Sequence, residues 1–452
     1  MILGAAAGGA AYLGPQRLRG IFQPKPDVTY SAAPQPEPSA AAVLGSLTAG
    51  VPPTTQQIED ALTGLVAAPE LGPSVSISVV DVATATALYA KSADHLAAPA
   101  STTKMATAAA LLATRGPQYR ITTTAVAGPN PGEVVLVGAG DPTMTYGPTG
   151  YYPGAARLDQ LAAQVKAALG GQAPTKLIYD GSLYEGPASA PGWDADAAVG
   201  PFGSKATALA IDGARTSPKR PKDVHTGQDR SAQPDRAAAI AFAKALGLSK
   251  TAVVSGQALQ GAQVLGSVQS PRMDALIEIM LEDSDNVVAE ALARQVALAR
   301  GKSASFVDAG QAIVDTLTEL GVPMNGVDIV DGSGLSRKDA ETPEMQTALL
   351  TLAAGDSRPE LRALVHGLPV AGWSGTMEDR NMAGKVPQAG AGRILAKTGT
   401  LSSIAAVAGL VVTKSGRLLA FSILVDEVPQ TEDDTQVSRD KLDAITNALA
   451  AL

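Results

Sequence analysis

The chain has 452 residues, 45% apolar and 17% charged, and a formal net charge of −8 at pH 7. That length exceeds one ordinary core, so two or three domains are expected, and the acidic balance excludes a nucleic-acid binder, which needs a concentrated basic surface. With no cysteine there are no thiol nucleophiles, thiolate metal sites or disulfides, and the three histidines, His95, His225 and His366, are too widely spaced for a metal-binding helix motif.

Residues 1–14 are small and apolar, as in a signal peptide or the tail of a possible membrane anchor, although shorter than a span of about 20 residues. Residues 15–53 are rich in Pro and Ala and read as an extended linker. The globule is expected to begin near Thr54, which with Gln57 forms a capping box ahead of Ile58, Leu62 and Leu65 at helical spacing. Alternating apolar residues predict strands over 74–80 and 85–90. An Ala- and Leu-rich run over 101–114 predicts a buried helix stopped by Gly116.

Composition then changes. Residues 117–266 mix short strands (133–137, 176–179, 252–255) with helices (155–169, 236–246) and hold a polar loop at 213–235, the pattern of an inserted domain. Ser270 and Pro271 read as the cap and first residue of a helix running to about 282. The chain breaks at Asp283-Ser284-Asp285, and a second helix runs over 286–300. Strands are expected at 393–396, 404–412 and 417–425, and a closing helix at 441–452. The expected division is therefore 54–116 and 267–452 for a catalytic domain, with 117–266 between them.

Three short motifs occur in order: Ser101-x-x-Lys104, Ser284-Asp285-Asn286 and Lys397-Thr398-Gly399. Singly each is weak. A second Ser-x-x-Lys stands at Ser438 to Lys441, and His225-Thr226-Gly227 imitates the third motif. Lone copies most often cap helices or end strands. Context separates the true set from the decoys. Serine at the start of a buried helix presents its own N–H to an incoming oxyanion, and a lysine three residues on shares its face. A serine hydroxyl needs a base. Lys104 can serve only when neutral, a state that burial among Met105, Ala108 and Leu111, and a second cation, Lys397, would favour. Ser284 and Asn286, on a loop between helices, can project into a cleft, Ser284 as a proton relay and Asn286 orienting Lys104. Lys397 is expected to supply fixed positive charge, Thr398 and Thr400 hydroxyls for a carboxylate, Thr400 a second oxyanion N–H, and Gly399 room for substrate against the strand edge.

With these residues the chain resembles the penicillin-recognising serine enzymes, and within them the low-molecular-mass class C penicillin-binding proteins, the D-alanyl-D-alanine carboxypeptidase/endopeptidase family. The separation of 183 residues between Ser101 and Ser284 selects the class C members, which carry extra structure there. The stretches 138–143, Asp331-Gly-Ser-Gly-Leu-Ser336, 368–372 and Gly375-Thr376 resemble the family as well. The resemblance implies an α/β (α+β) fold: a penicillin-binding transpeptidase/β-lactamase-like domain, an antiparallel sheet flanked by helices, with a large inserted α+β domain. It implies Ser101 as acylated nucleophile, Lys104 as base, Ser284 and Asn286 as the second motif, and Lys397, Thr398, Gly399 and Thr400 as the third. It implies peptidoglycan stem peptides as substrates, β-lactams as covalent inhibitors and an extracytoplasmic location. Nothing in the sequence requires a cofactor or a metal. A serine β-lactamase would share the acylation half but lacks here the Glu-x-x-Leu-Asn segment that activates a deacylating water. A non-catalytic wall-binding or sensor protein would leave the three motifs without a purpose.

Overall fold

The structure, a computed structural model, describes residues 50–221, 227–383, 386–429 and 434–452. The expected leader at 1–14, nearly all of the linker at 15–53 and the His225 decoy lie outside the described residues.

Both ends of the chain contribute to one sheet. Strands β1 (Val75–Asp81) and β2 (Thr86–Lys91) come from the N-terminal part, and β10 (Ile394–Leu401), β11 (Ile404–Val412) and β12 (Leu418–Val425) from the C-terminal part. The order is β10-β11-β12-β1-β2, antiparallel throughout, with Ile423 facing Val407 on one side and Ile77 on the other. The apolar runs of β11 and β12 reflect burial on both faces. Leu419, Phe421, Ile423 and Val425 pack against α1 (Thr55–Val66) and α10 (Asp434–Ala451). Ala408, Leu410 and Ala420 point the other way, where the small side chains admit α2 (Lys104–Arg115) close to the sheet. The capping box at the start of α1 is present: Gln57 N donates to Thr54 Oγ1 and Thr54 N to Gln57 Oε1.

Residues from Thr122 to Gln269 form a second sheet, β6-β5-β4-β3-β7. Its strands are β3 (Thr122–Ala127), β4 (Glu133–Val137), β5 (Lys176–Asp180), β6 (Val253–Ser255) and β7 (Val264–Gln269). Helices α3 (Leu158–Ala168) and α4 (Pro234–Leu246) bring Leu161, Val165, Phe242 and Leu246 against Val134, Leu136 and Leu177 in a core of their own.

The chain then returns through α5 (Met273–Glu282), α6 (Asn286–Ala299), α7 (Phe306–Glu319), α8 (Pro343–Ala354) and α9 (Arg362–His366), which bury α2, before a two-stranded β8 (Met382–Ala383) and β9 (Val386–Pro387). Helices α7 and α8 have start signals that the sequence reading passed over, Ser305 accepting from Asp308 N and Thr342 accepting from Met345 N ahead of Pro343. Ser270 is not a cap. It accepts from Ile121 N and donates to the carbonyl of Pro271, joining the ends of β3 and β7, so α5 starts only at Met273. Among the described residues no helix is long and apolar enough to cross a membrane.

Candidate active site

Ser101 sits on a 3₁₀ turn, Ala100–Thr103, and the α-helix proper begins at Lys104 rather than at the serine. Two glycines grip this turn. A Cβ on Gly334 would lie 1.9 Å from the carbonyl oxygen of Ala100, and one on Gly399 would lie 2.7 Å from that of Pro99. Gly399, expected to clear space for substrate, makes room for the nucleophile's own turn as well. Held this way, Ala100 adopts φ of 48°, a left-handed conformation disfavoured for alanine by about 1–2 kcal/mol. The backbone next to the nucleophile is thus set by packing against its preference.

Lys104 is fully buried and does not reach solvent. Its ammonium donates to Ser101 Oγ at 2.8 Å, to Asn286 Oδ1 at 2.6 Å and to the carbonyl of Ser333 at 2.6 Å. Burial pushes its pKa down, and the charges of Asp331, Glu290, Asp285 and Asp339 pull it back, leaving it at about 8. A base poised near neutrality results from that opposition.

Between α5 and α6, Asp285 rather than Ser284 caps the second helix, accepting from Val287 N and Val288 N. That frees Ser284, at φ of 55°, to line the cavity. The Asn286 amide is held at both ends, with Oδ1 on Lys104 and Nδ2 donating 3.0 Å to the carbonyl of Phe202. Asp285 Oδ2 accepts from Tyr152 Oη at 2.7 Å and from Arg215 Nη2 at 3.0 Å, both from the segment that carries the second sheet. Burial alone would raise the Asp285 carboxyl; the charges of Arg215 and Arg230 and these hydrogen bonds hold it well below the usual range.

The third motif lies within β10, an edge strand of the first sheet, and not in a strand-end turn. Thr398 and Thr400 line the cavity. Lys397 does not. It is wholly buried, its ammonium donates to the carbonyl of Thr398 at 2.9 Å, and burial followed by the Lys104 charge pushes its pKa well below the ordinary lysine value. The positive charge expected of Lys397 is thus held inside the protein, close enough to Lys104 for the Lys104 charge to be felt.

The 331–336 loop supplies what sequence reasoning missed. The Asp331 carboxylate accepts from the N–H groups of Ser333, Gly334 and Ser336 and from Trp193 Nε1, fixing the Ser333 carbonyl that Lys104 uses. Around it Glu290 and Glu341 are raised to about 7, chiefly by burial. The Asp-Gly-Ser-Gly-Leu-Ser stretch was visible in the sequence, but its role depends on contacts more than 200 positions apart. The Ser438 decoy is resolved too: it is fully buried and donates to the carbonyl of Glu70, while Lys441 pairs with the Glu70 carboxylate at 3.0 Å.

Ser101, Ser284, Asn286, Thr398 and Thr400 share one cavity of about 1060 Å³. Three distant stretches of chain thus place a nucleophile, a buried base and polar groups around one space.

The D-Ala-D-Ala carboxypeptidase 3 (S13) family model matches residues 58–229 and 221–451. A carboxypeptidase of Mycobacterium tuberculosis is 38% identical over 87% of this chain and 86% of its own length. Carboxypeptidase DacB of Mycolicibacterium smegmatis is 36% identical over 90% and 88%. The crystal structure of penicillin binding protein 4 from Haemophilus influenzae superposes with a TM-score of 0.69 at 21% identity, covering 86% of this chain and 97% of that one, which establishes a common fold. The chain belongs to the D-Ala-D-Ala carboxypeptidase 3 (S13) family, the low-molecular-mass class C penicillin-binding proteins.

Proposed function

We propose that this site hydrolyses D-alanyl-D-alanine bonds of peptidoglycan stem peptides through an acyl-enzyme on Ser101. The observation that carries the reading is the Lys104 ammonium, which bridges Ser101 Oγ and Asn286 Oδ1 at 2.8 and 2.6 Å. In its neutral form Lys104 takes the hydroxyl proton as Oγ bonds to the substrate carbonyl carbon. The oxyanion meets the N–H groups of Ser101 and Thr400, each such donor being worth about 3 kcal/mol. As the C–N bond breaks, the proton passes from Lys104 by way of Ser284 to the departing amine. Water then attacks the ester, and the proton it loses returns to Ser101 Oγ. Asn286, with its amide fixed by the Phe202 carbonyl, keeps Lys104 aimed at the serine. The Thr398 and Thr400 hydroxyls bind the carboxylate of the leaving residue. Cell-wall peptides as substrate place the enzyme outside the cytoplasm.

A β-lactam offers the same carbonyl and carboxylate, so it acylates the same atom. After incubation with benzylpenicillin, mass spectrometry should find the penicilloyl adduct on the peptide containing Ser101. An adduct at Ser438, or none, would sink the nucleophile assignment, and rapid multiple turnover of nitrocefin would make the protein a β-lactamase instead.

Because the neutral form of Lys104 is the active one and its pKa is about 8, the acylation rate should climb with pH from 6 and level off above about 8.5. A rate that falls as pH rises across this window would remove Lys104 from the role of base.

A further inference from the structure

Five arginines line the active-site cavity: Arg215, Arg220, Arg230, Arg380 and Arg439. Three pair with carboxylates, Arg215 with Asp285 at 3.0 Å, Arg220 with Asp283 at 2.8 Å and Arg380 with Asp443 at 2.7 Å. Arg230 donates to the backbone carbonyl of Gly213. Arg439, near the start of α10, makes no ion pair among the described residues. Its one side-chain hydrogen bond is a long one, from Nη2 to Thr400 Oγ1 at 3.4 Å, and its Nε is buried with no acceptor. Asp443, one turn along the same helix, is engaged by Arg380, whose Nη2 also donates to the backbone carbonyl of Arg439.

Of two neighbouring guanidinium groups only that of Arg380 is paired with the carboxylate, and the other stands against a threonine hydroxyl of the third motif. A buried donor without an acceptor is unfavourable, and a planar guanidinium fits a carboxylate better than any other common anion. Burial, followed by the Arg380 charge, lowers the pKa of Arg439, a penalty that an incoming anion would relieve. Lys397 is wholly buried, with its ammonium on the carbonyl of Thr398.

We propose that Arg439 is the cation that receives the substrate's carboxylate, on the leaving D-residue or on the equivalent position of a β-lactam, beside the hydroxyls of Thr398 and Thr400. This rests on the reading of Ser101 as nucleophile.

The test compares acylation by benzylpenicillin with acylation by its methyl ester, which lacks the charge, in the wild type, Arg439→Gln and Arg439→Lys. With benzylpenicillin the second-order acylation constant should fall about 30-fold in Arg439→Gln and about fivefold in Arg439→Lys. With the ester neither variant should change by more than about threefold. Equal losses on both compounds, or none on benzylpenicillin, would overturn the proposal. Should Arg439→Gln fail to fold, Arg439→Lys decides by the same comparison. A wild type that never carries the adduct on Ser101 would count against the underlying reading, separately from this one.

Discussion

Lys104→Met should form the acyl-enzyme about 10⁴-fold more slowly than the wild type while remaining folded. The substitution keeps the apolar stem and removes only the base. Ser101 Oγ then has no acceptor for its proton, and Asn286 Oδ1 loses the group it orients. Stability is pulled both ways. The folded pKa of about 8, against an ordinary 10.5, means that burying this lysine costs about 3 kcal/mol at neutral pH. Against that relief, the Ser333 carbonyl loses its donor and the carboxylates around Asp331 lose a compensating charge. These effects are of similar size, so the melting temperature should stay within about 5 °C. The pH profile supplies a second check. With its folded pKa below the unfolded one, Lys104 makes stability rise between pH 8 and 10.5, and that slope should vanish in the variant. Adduct formation within tenfold of the wild type, followed by intact mass, would show that another group is the base.

Asp285→Ala should cost about 4 kcal/mol of stability and slow acylation as well. It strands the Arg215 guanidinium, whose side chain is only 6% exposed, along with the Tyr152 hydroxyl, and it uncaps α6. Since Ser284 and Asn286 flank the lost carboxylate, the damage reaches the catalytic groups. Asp285→Asn, which keeps the cap and loses the charge, should fall between the two. The depressed Asp285 pKa gives a stabilisation fully present above about pH 4 and lost as pH falls below it, so the gap between wild type and variant should narrow on acidification. Urea unfolding at several pH values measures this, and an Asp285→Ala protein melting within a degree of the wild type would refute the account.

The motifs were legible because each combines residue types whose chemistry is local: serine with a lysine one turn on, a loop breaking two helices, a polar start in an apolar strand. Strands such as Glu133–Val137 and Ile404–Val412 were equally plain, since burial writes itself as runs of β-branched and apolar residues. What escaped depends on juxtaposition. Nothing near Gly399 says that its missing side chain faces Pro99, nor anything near Lys397 that its ammonium turns inward. The four carboxylates that hold Lys104 near pH 8 are spread from Asp285 to Asp339, and their influence arises only once they are buried together. Arg439 was invisible for the same reason: in sequence it is one of several charged residues ahead of the closing helix expected at 441–452, a helix that in the structure already starts at Asp434.

The grip on the second motif has a consequence for how the molecule can be altered. Phe202 and Arg215, both from the segment threaded between the first two motifs, take hold of Asn286 and Asp285, the two residues that follow Ser284. That segment is therefore a brace for the reaction centre, and not an ornament that could be trimmed to leave a minimal enzyme. A shortened descendant would have to invent a new acceptor for one amide and a new counter-ion for one carboxylate before its serine and lysine could again work together.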